Sequence, residues 1–423
     1  MTGGSGPGRR PRPVDRRTFL TGSAALAGTA ALLAGCGDGG GTGPAGAGVA
    51  GLAVASPAQP VTWPISEDNQ PISEGQEPEG RATLRLYNWK DYLNTEAIRK
   101  FEREYRRYGV KVEVATFETL EEATAKLNSG AVLADVFFPT YDRLGKLIQA
   151  GLLRPLNHAY IPNIDQAWPT FSNPFYDQDW RYSVPYAVYG TGIAWREDKV
   201  REDVADHPNP YELFWDRRYR GQVSVIDEYR ETMGMVLLKN GITDLATASP
   251  THLALVKREL MAMAEEMRPV VDAYGYTRLP EAKVAISQAW SGDVINVQYL
   301  FPKGQSQSQK VLRYWSPLNG RGAVNNDLMV ILRSGKSPVL AHHFLNFLLD
   351  SGNAMLNFEY TGYQPPQSKV DPDVLVEQGF IPENLKSVVI RPEYFDNGYR
   401  NLELSPQVDR AWLMIWEAFK RAL

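Results

Sequence analysis

The sequence from residue 81 onward predicts an α/β fold built around an open sheet. Short apolar strand patterns alternate with amphipathic helix patterns in the order strand, helix, strand, helix, strand. The third of these strands, ADVFFP (134–139), is apolar at consecutive positions, as expected for a parallel strand covered on both faces. The chain of 423 residues, with 43% hydrophobic content, can bury one large domain or two medium ones.

The first elements each carry a local signal. Residues 84–86 alternate as a strand, Thr95 is a suitable N-cap for the following helix, and Gly109 ends that helix. The segment KVEVATF (111–117) alternates as a second strand. Thr119 followed by Glu122 then predicts a capping box at the start of the second helix.

Later segments repeat a strand that runs into acidic residues. YSVPYAVYGTGIAW (182–195) is predicted to be an extended crossing. Three further apolar runs, QVSVIDEYRET (222–232), VAISQAWSGD (284–293) and GAVNNDLMVIL (322–332), each contain at least one carboxylate. AHHFLNFLLD (341–350) predicts an apolar helix, and the last residues predict an amphipathic one.

Residues 1–36 are predicted to be a twin-arginine lipoprotein signal that ends at Cys36. Arg16 and Arg17 precede an Ala- and Gly-rich apolar stretch, which is the pattern of an export signal. The end of the stretch, Leu-Ala-Gly-Cys (33–36), resembles the bacterial lipobox, so lipid modification of Cys36 is expected to anchor the exported protein to the membrane, at the cell surface or in the periplasm. A transmembrane anchor is the alternative, but a span needs about 20 strongly apolar residues.

Residues 37–80 are predicted to be a flexible tether. The segment consists mostly of Gly, Ala, Pro, Ser and acidic residues and has no helical or strand period. Its GTGPAG (41–46) matches a dinucleotide-binding motif formally, but no strand precedes the motif and no helix follows it.

Charge and motif content exclude several functions. The chain has 45 basic and 49 acidic residues without a long basic block, which argues against nucleic-acid binding. Without residues 1–35 the balance is 40 bases to 48 acids, or −8, which mildly favours cationic ligands. We find no nucleophile elbow, no H-E-x-x-H and no spaced His or Cys pair, so no enzyme activity, metal or cofactor is expected.

The recurring feature is a Trp or Tyr close to an Asp or Glu at the end of a strand. YNWKDYL (87–93) and PTYD (139–142) are two such segments, and ligands of open α/β sheets bind at the carboxyl ends of strands. Aromatic faces attract ammonium groups, and carboxylates form charge-assisted hydrogen bonds with them. The pattern therefore indicates a slot for an amine, although aromatic side chains also fill the rims of hydrophobic cores.

These segments, in this order, resemble the spermidine/putrescine-binding protein family of bacterial polyamine ABC transporters. The resemblance covers about residues 84–400 and rests on YNWKDYL, ADVFFPTYDRLGKL, NPFYDQDWRYSVPY, VIDEYRE, QAWSGD and EYTGYQPP. It implies a type II periplasmic-binding-protein-like fold: two α/β lobes joined by hinge strands around an interlobe ligand cleft. The implied first lobe comprises residues 81–187 and 325–365, and the second comprises residues 188–324 and 366–423.

The resemblance also implies twelve ligand-binding residues. Glu228 and Glu231 match acids that hold an amine in the second lobe, and Asp327 matches another amine-holding acid. Asn325 stands where the family commonly has Trp, and Lys90 and Asp91 replace its usual Thr/Ser and Glu. The implied site consists of Trp89, Asp91, Tyr92, Thr140, Tyr141, Glu228, Glu231, Trp290, Asp293, Asn325, Asp327 and Tyr363.

The function implied is that of a binding protein rather than a catalyst. A lipid-anchored monomer would capture a spermidine- or putrescine-like polyamine and deliver it to the permease of an ABC transporter. Two alternatives stay open: the same scaffold bound to a different small cationic or polar solute, and a lipoprotein that senses a ligand. Substitution of Asp91 or Asp327 by Asn is expected to weaken amine binding tenfold or more.

Overall fold

The computed structural model describes residues 54–297, 300–301, 308–317 and 321–423. Within these ranges nine strands form one mixed sheet in the order β2-β1-β3-β9-β4-β7-β5-β6, with β8 paired to β4. The strands are β1 (Thr83–Trp89), β2 (Lys111–Phe117), β3 (Val136–Phe137), β4 (Ser183–Arg196), β5 (Val223–Val225), β6 (Val270–Val271), β7 (Ile286–Trp290), β8 (Leu312–Trp315) and β9 (Ala323–Ile331).

Helices cover both faces of this sheet. They are α1 (Thr95–Glu104), α2 (Leu120–Asn128), α3 (Leu144–Gln149), α4 (Tyr229–Lys239), α5 (Pro250–Met267), α6 (Ser291–Val297), α7 (Pro338–Leu349), α8 (Ser351–Thr361), α9 (Pro372–Glu377), α10 (Tyr394–Asn397) and α11 (Pro406–Arg421). The expected α/β fold is therefore confirmed. No helix in the described ranges is long and apolar enough to cross a membrane.

The sheet has two parallel wings joined by antiparallel strands. β2, β1 and β3 run parallel on one side, and β7, β5 and β6 run parallel on the other. Between them β9 and β4 pair antiparallel, and every residue of β4 is buried. We call the β2-β1-β3 wing with α1, α2, α3 and α7 the first lobe, and the β7-β5-β6 wing with α4, α5, α6 and α11 the second lobe. The exact residue boundaries of the lobes stay a prediction.

The helix starts show one correction. The side chain of Asn94, not of Thr95, caps α1, because its oxygen accepts a hydrogen bond from the backbone N–H of Glu96. Thr119 caps α2 as predicted and accepts from the N–H of Glu122. Gly109 has a φ of 68°, a left-handed conformation that suits glycine at the end of the first helical segment.

Residues 54–80 are not a free tether, which corrects part of that expectation. Trp63 is buried in the first lobe, and its indole N–H donates to the carbonyl of Tyr176 at 2.8 Å. Asn69 is also buried and donates to the carbonyl of Leu153 at 2.8 Å. Single side chains of this segment pack on the first lobe although the segment forms no helix or long strand. Amino-acid composition alone does not reveal such contacts. The rest of the predicted tether and Cys36 lie outside the described residues.

Candidate functional site

All twelve predicted site residues line one cavity between the two lobes. Their strands and helices approach from both wings of the sheet, at the edge where β1, β5 and β7 end. The antiparallel strands β9 and β4 lie between the two wings and pair with β3 and β7, respectively. Side chains from β1, β7 and β9 therefore line the same cavity. The ends of the parallel strands thus provide the common edge that the sequence pattern predicts.

Asp327 lies on β9 at the centre of this cavity. Its Oδ2 accepts a hydrogen bond of 2.6 Å from the hydroxyl of Tyr92, whereas its Oδ1 is buried and has no partner among the described residues. Burial raises the pKa of Asp327 to about 8, although the Tyr92 hydrogen bond opposes the rise. A buried carboxylate oxygen without a donor is costly, so this atom is suited to receive one from a ligand.

Asp293 provides a second carboxylate, from the first turn of α6. Its Oδ1 accepts a 3.0 Å hydrogen bond from the hydroxyl of Tyr363, and burial raises its pKa to about 8. The Tyr363 ring packs directly over Gly292, where an added Cβ would lie 2.5 Å from the ring. Gly292 therefore permits the close approach that positions Tyr363 beside Asp293.

Glu231 provides a third carboxylate, from α4 of the second lobe. It accepts hydrogen bonds from the hydroxyl of Thr191 at 2.6 Å and from the side-chain amide of Asn401 at 3.1 Å. Burial raises its pKa, and the Thr191 hydrogen bond opposes the rise. Trp290 at the end of β7 lines the same part of the cavity.

Aromatic rings form the walls between these acids. The ring of Tyr92 meets that of Tyr363 edge-on at 4.6 Å, and Trp89 packs against Phe117 at 4.6 Å. Tyr189 lies 6.3 Å from Trp290, also edge-on. Because rings and carboxylates alternate around the cavity, it can accept both the methylene groups and the ammonium groups of an amine.

Thr140, Tyr141 and Asn325 line the cavity, and each takes part in a side-chain hydrogen bond there. The hydroxyl of Tyr141 donates to Oδ1 of Asn325 at 2.9 Å, and that of Thr140 donates to Asp142. The guanidinium of Arg400 lies 4.4 Å from the centre of the Tyr141 ring. This side of the site is thus held in place by contacts to one carboxylate, Asp142, and one guanidinium, Arg400.

Asp91 and Lys90 are exposed at the rim. Asp91 has a φ of 57° and accepts a 3.4 Å hydrogen bond from the hydroxyl of Tyr360. The ammonium of Lys90 lies 5.3 Å from the centre of the Tyr274 ring. Since water screens exposed charges, Asp91 contributes less to the field inside the cavity than the buried acids do.

Glu228 belongs to a cluster of charged side chains that contains two arginines as well as acids. Arg143 contacts Glu228 at 4.0 Å and Glu121 at 2.7 Å, and Arg230 contacts Asp142 at 3.3 Å. Burial and the nearby Glu121 raise the pKa of Glu228, while Arg143 lowers it. Burial favours the protonated form of Glu228, and Arg143 balances the charge of the ionised form. Glu228 therefore offers a ligand less negative charge than a carboxylate without a cation beside it.

The family model for bacterial extracellular solute-binding proteins matches residues 96–379, about two thirds of the chain. The chain belongs to this family. Its members bind solutes and are not enzymes, as expected from the missing catalytic motifs.

Several relatives of this solute-binding protein are named as polyamine-binding proteins. The putrescine/cadaverine-binding protein of Pseudomonas aeruginosa is 27% identical over 64% of this chain and 75% of its own length. The putrescine-binding periplasmic protein PotF of Escherichia coli is 22% identical over 82% and 94%, respectively. The spermidine/putrescine substrate-binding protein PotD of Streptococcus pneumoniae shares the two-lobed fold, with a TM-score of 0.64, 24% identity and coverage of 80% and 99%. These findings confirm the predicted fold class and family resemblance.

The sequence pattern missed several residues that line the cavity of this solute-binding protein. Tyr274 and Tyr276 follow Asp272 in the segment DAYGYT (272–277), which repeats the aromatic–acid pattern and so could have been found. The pairs Arg143–Glu228 and Arg230–Asp142 carry no local signal, because the two members of each pair lie far apart in sequence. Further lining residues are Glu118, Asp142, Arg143, Tyr189, Arg230, Asn296, Thr361 and Asn401.

The described residues contain no group of three or more His, Cys, Asp or Glu side chains arranged to hold a metal ion. The carboxylates of the cavity are separated by hydrogen-bonded tyrosines instead.

Proposed function

We propose that this solute-binding protein captures a polyamine of the putrescine or spermidine type in the cavity between its lobes. Ammonium groups of the ligand would contact the buried acids, and its methylene chain would lie along the aromatic walls. The names of the relatives point to the same class of ligand.

One observation carries this proposal: Asp327, Asp293 and Glu231 are buried carboxylates that form no ion pair within the described ranges. The arginines of the cavity wall are engaged by Asp142, Glu121 and Glu228 instead. A buried charge without a counter-charge is unfavourable, and a cationic ligand would supply that counter-charge. An anionic ligand would supply no counter-charge and would oppose ionisation of these carboxyl groups.

We further propose that the exported protein is anchored by lipid at Cys36 and delivers its ligand to an ABC transporter permease. Support comes from the lipobox-like Leu-Ala-Gly-Cys (33–36) after a twin-arginine segment. The family description, an extracellular solute-binding protein, agrees with export. Closure of the two lobes on the ligand would be a hinge motion driven by contacts to both.

A thermal unfolding screen of the purified protein tests the ligand class. Putrescine, cadaverine, spermidine and spermine form one group, and a dicarboxylate, phosphate and ferric ion form the other. A ligand at 100 times its Kd stabilises the folded state by about 2.7 kcal/mol, so its unfolding midpoint rises measurably. We expect at least one amine to raise the midpoint and every anion to leave it unchanged.

A rise with ferric ion or an anion alone would contradict the polyamine proposal and would favour the same scaffold tuned to another solute. Detection of an amine by mass spectrometry in the protein as purified would provide independent support.

A further inference from the structure

Tyr189 occupies a central position in the cavity wall that no sequence motif indicated. It lies on β4 directly across from Asn325 on β9, so the two side chains share one face of the sheet. Its ring meets those of Trp290 and Tyr363 edge-on at 6.3 and 6.0 Å. Only 6% of the residue is exposed, yet it lines the cavity.

The hydroxyl of Tyr189 differs from those of its neighbours. Tyr92 donates to Asp327, Tyr141 donates to Asn325 and Tyr363 donates to Asp293. The Tyr189 hydroxyl has no hydrogen-bond partner among the described residues. It is not among the buried side-chain atoms that lack a partner, so it opens onto the cavity, where a ligand can form a hydrogen bond with it.

The surroundings of Tyr189 are acidic. Burial and the nearby charges of Asp327 and Glu231 raise its pKa well above the ordinary range, so the phenol stays protonated and neutral. A phenol oxygen can accept a hydrogen bond while its own proton is directed elsewhere. A primary ammonium has three N–H donors, of which the open Oδ1 of Asp327 can accept one.

We infer that Tyr189 is a ligand-contacting residue that determines specificity, its hydroxyl oxygen accepting a hydrogen bond from the same ammonium group that Asp327 holds. The inference rests on the proposed polyamine function and deepens it. It assigns the part of the cavity beside Asp327 to a primary ammonium, whose several donors can be satisfied by an acid and a hydroxyl together. A protonated secondary amine has only two N–H donors, so it would form fewer hydrogen bonds at this position than a primary ammonium.

Calorimetric titration of putrescine into Tyr189→Phe and wild-type protein tests this inference. The variant keeps the ring and removes only the hydroxyl. A hydrogen bond to a charged group is strong enough that its loss should weaken binding about tenfold or more. The unfolding midpoint without ligand should not fall, because the hydroxyl has no partner in the described part of the protein.

Tyr87→Phe is the matched control. Tyr87 is also a buried tyrosine without a hydrogen-bond partner for its hydroxyl, but it packs against Phe117 and Phe137 and does not line the cavity. We expect its affinity for putrescine to equal that of the wild type.

The outcomes separate the two claims. If the wild type binds putrescine and Tyr189→Phe binds it equally well, the role of Tyr189 is wrong while the polyamine function stands. If Tyr87→Phe loses as much affinity as Tyr189→Phe, the effect is general and the inference also fails. If the wild type binds no polyamine, the proposed function itself fails.

Discussion

At the scale of the residue, Asp327 is the side chain on which the proposed ligand contact most depends. Asp327→Asn keeps the shape and an oxygen that can accept from Tyr92, but it removes the charge. An ammonium then loses its buried counter-charge, so affinity for putrescine should fall tenfold or more. Titration calorimetry measures this directly, and an unchanged affinity would show that the ammonium lies elsewhere.

Asp91→Asn is the natural comparison, and the structure changes what we expect of it. From the sequence, a loss of tenfold or more was expected for each substitution. Since Asp91 is exposed at the rim, its charge is screened by water, and the same titration should now show less than about a fivefold loss. A loss as large as that of Asp327→Asn would mean that the lobes enclose Asp91 when the ligand is bound.

Binding should also depend on pH. Burial raises the pKa of both Asp327 and Asp293 to about 8, so both carboxyls are largely protonated in the ligand-free protein at pH 6. An ammonium favours their ionised form, so affinity should rise as pH increases from 6 to 8 and protons should be released on binding. Titrations in buffers of different ionisation enthalpy measure that release.

The same two groups affect stability with the opposite trend. In the unfolded chain their pKa values lie near 3.9, so between about pH 4 and 8 the folded state binds more protons than the unfolded state. Their contribution to stability is complete below pH 4 and is lost as pH rises through 8. Asp327→Asn should make the free energy of unfolding fall less steeply between pH 4 and 8. For the binding prediction, an affinity for putrescine that does not change with pH would contradict the role of these carboxyls.

At the scale of the element, residues 54–80 act as a segment docked on the first lobe. Trp63 is 4% exposed and lies against Gly145, whose added Cβ would approach the indole to 3.1 Å. Trp63→Ala should therefore lower the free energy of unfolding by about 3–5 kcal/mol, as for other buried aromatic truncations. Chemical denaturation measures this, with Thr62→Ala at an exposed neighbour as the control. Equal stability of both variants would show that the docking is weak.

The elements also show what the sequence could reveal. Strands β1 and β2 and the cap at Thr119 depend on local pattern and were predicted correctly. The docking of Trp63 depends on a partner, Tyr176, more than a hundred positions away. No local period records such a contact, so composition alone suggested a free tether.

The candidate site shows the same division. Pattern and family resemblance predicted twelve residues that the fold brings to one cavity. The environment of each could not be predicted: Glu228 lies beside Arg143, whereas Asp327 keeps an oxygen without a partner. Whether a carboxylate is free or paired depends on long-range packing.

At the scale of the whole molecule, Arg143 joins the two lobes. It contacts Glu121 in α2 of the first lobe at 2.7 Å and Asp409 in α11 of the second at 3.8 Å, and it donates to the hydroxyl of Tyr229 at 3.0 Å. Arg143→Met would leave Glu228 and Glu121 without this cation, whereas Asp409 keeps Lys146. Glu228 is largely buried, and breaking a buried pair typically costs about 3–5 kcal/mol. Thermal or chemical unfolding should show a loss of this size.

Arg99→Met is the control for this substitution, because Arg99 pairs with Glu96 on an exposed helix surface. Its unfolding midpoint should stay close to that of the wild type. Stability of Arg143→Met equal to that of Arg99→Met would mean that the cluster does not hold the lobes together.

The central claim is that the interlobe cavity binds a polyamine through buried carboxylates that lack a counter-charge. Titration of putrescine and spermidine into the wild-type protein at pH 8, followed by calorimetry, tests it most directly. We predict saturable binding of one ligand per chain for at least one of the two amines. A protein that unfolds cooperatively, and is therefore folded, but gives no binding heat with either amine at several temperatures would contradict the claim.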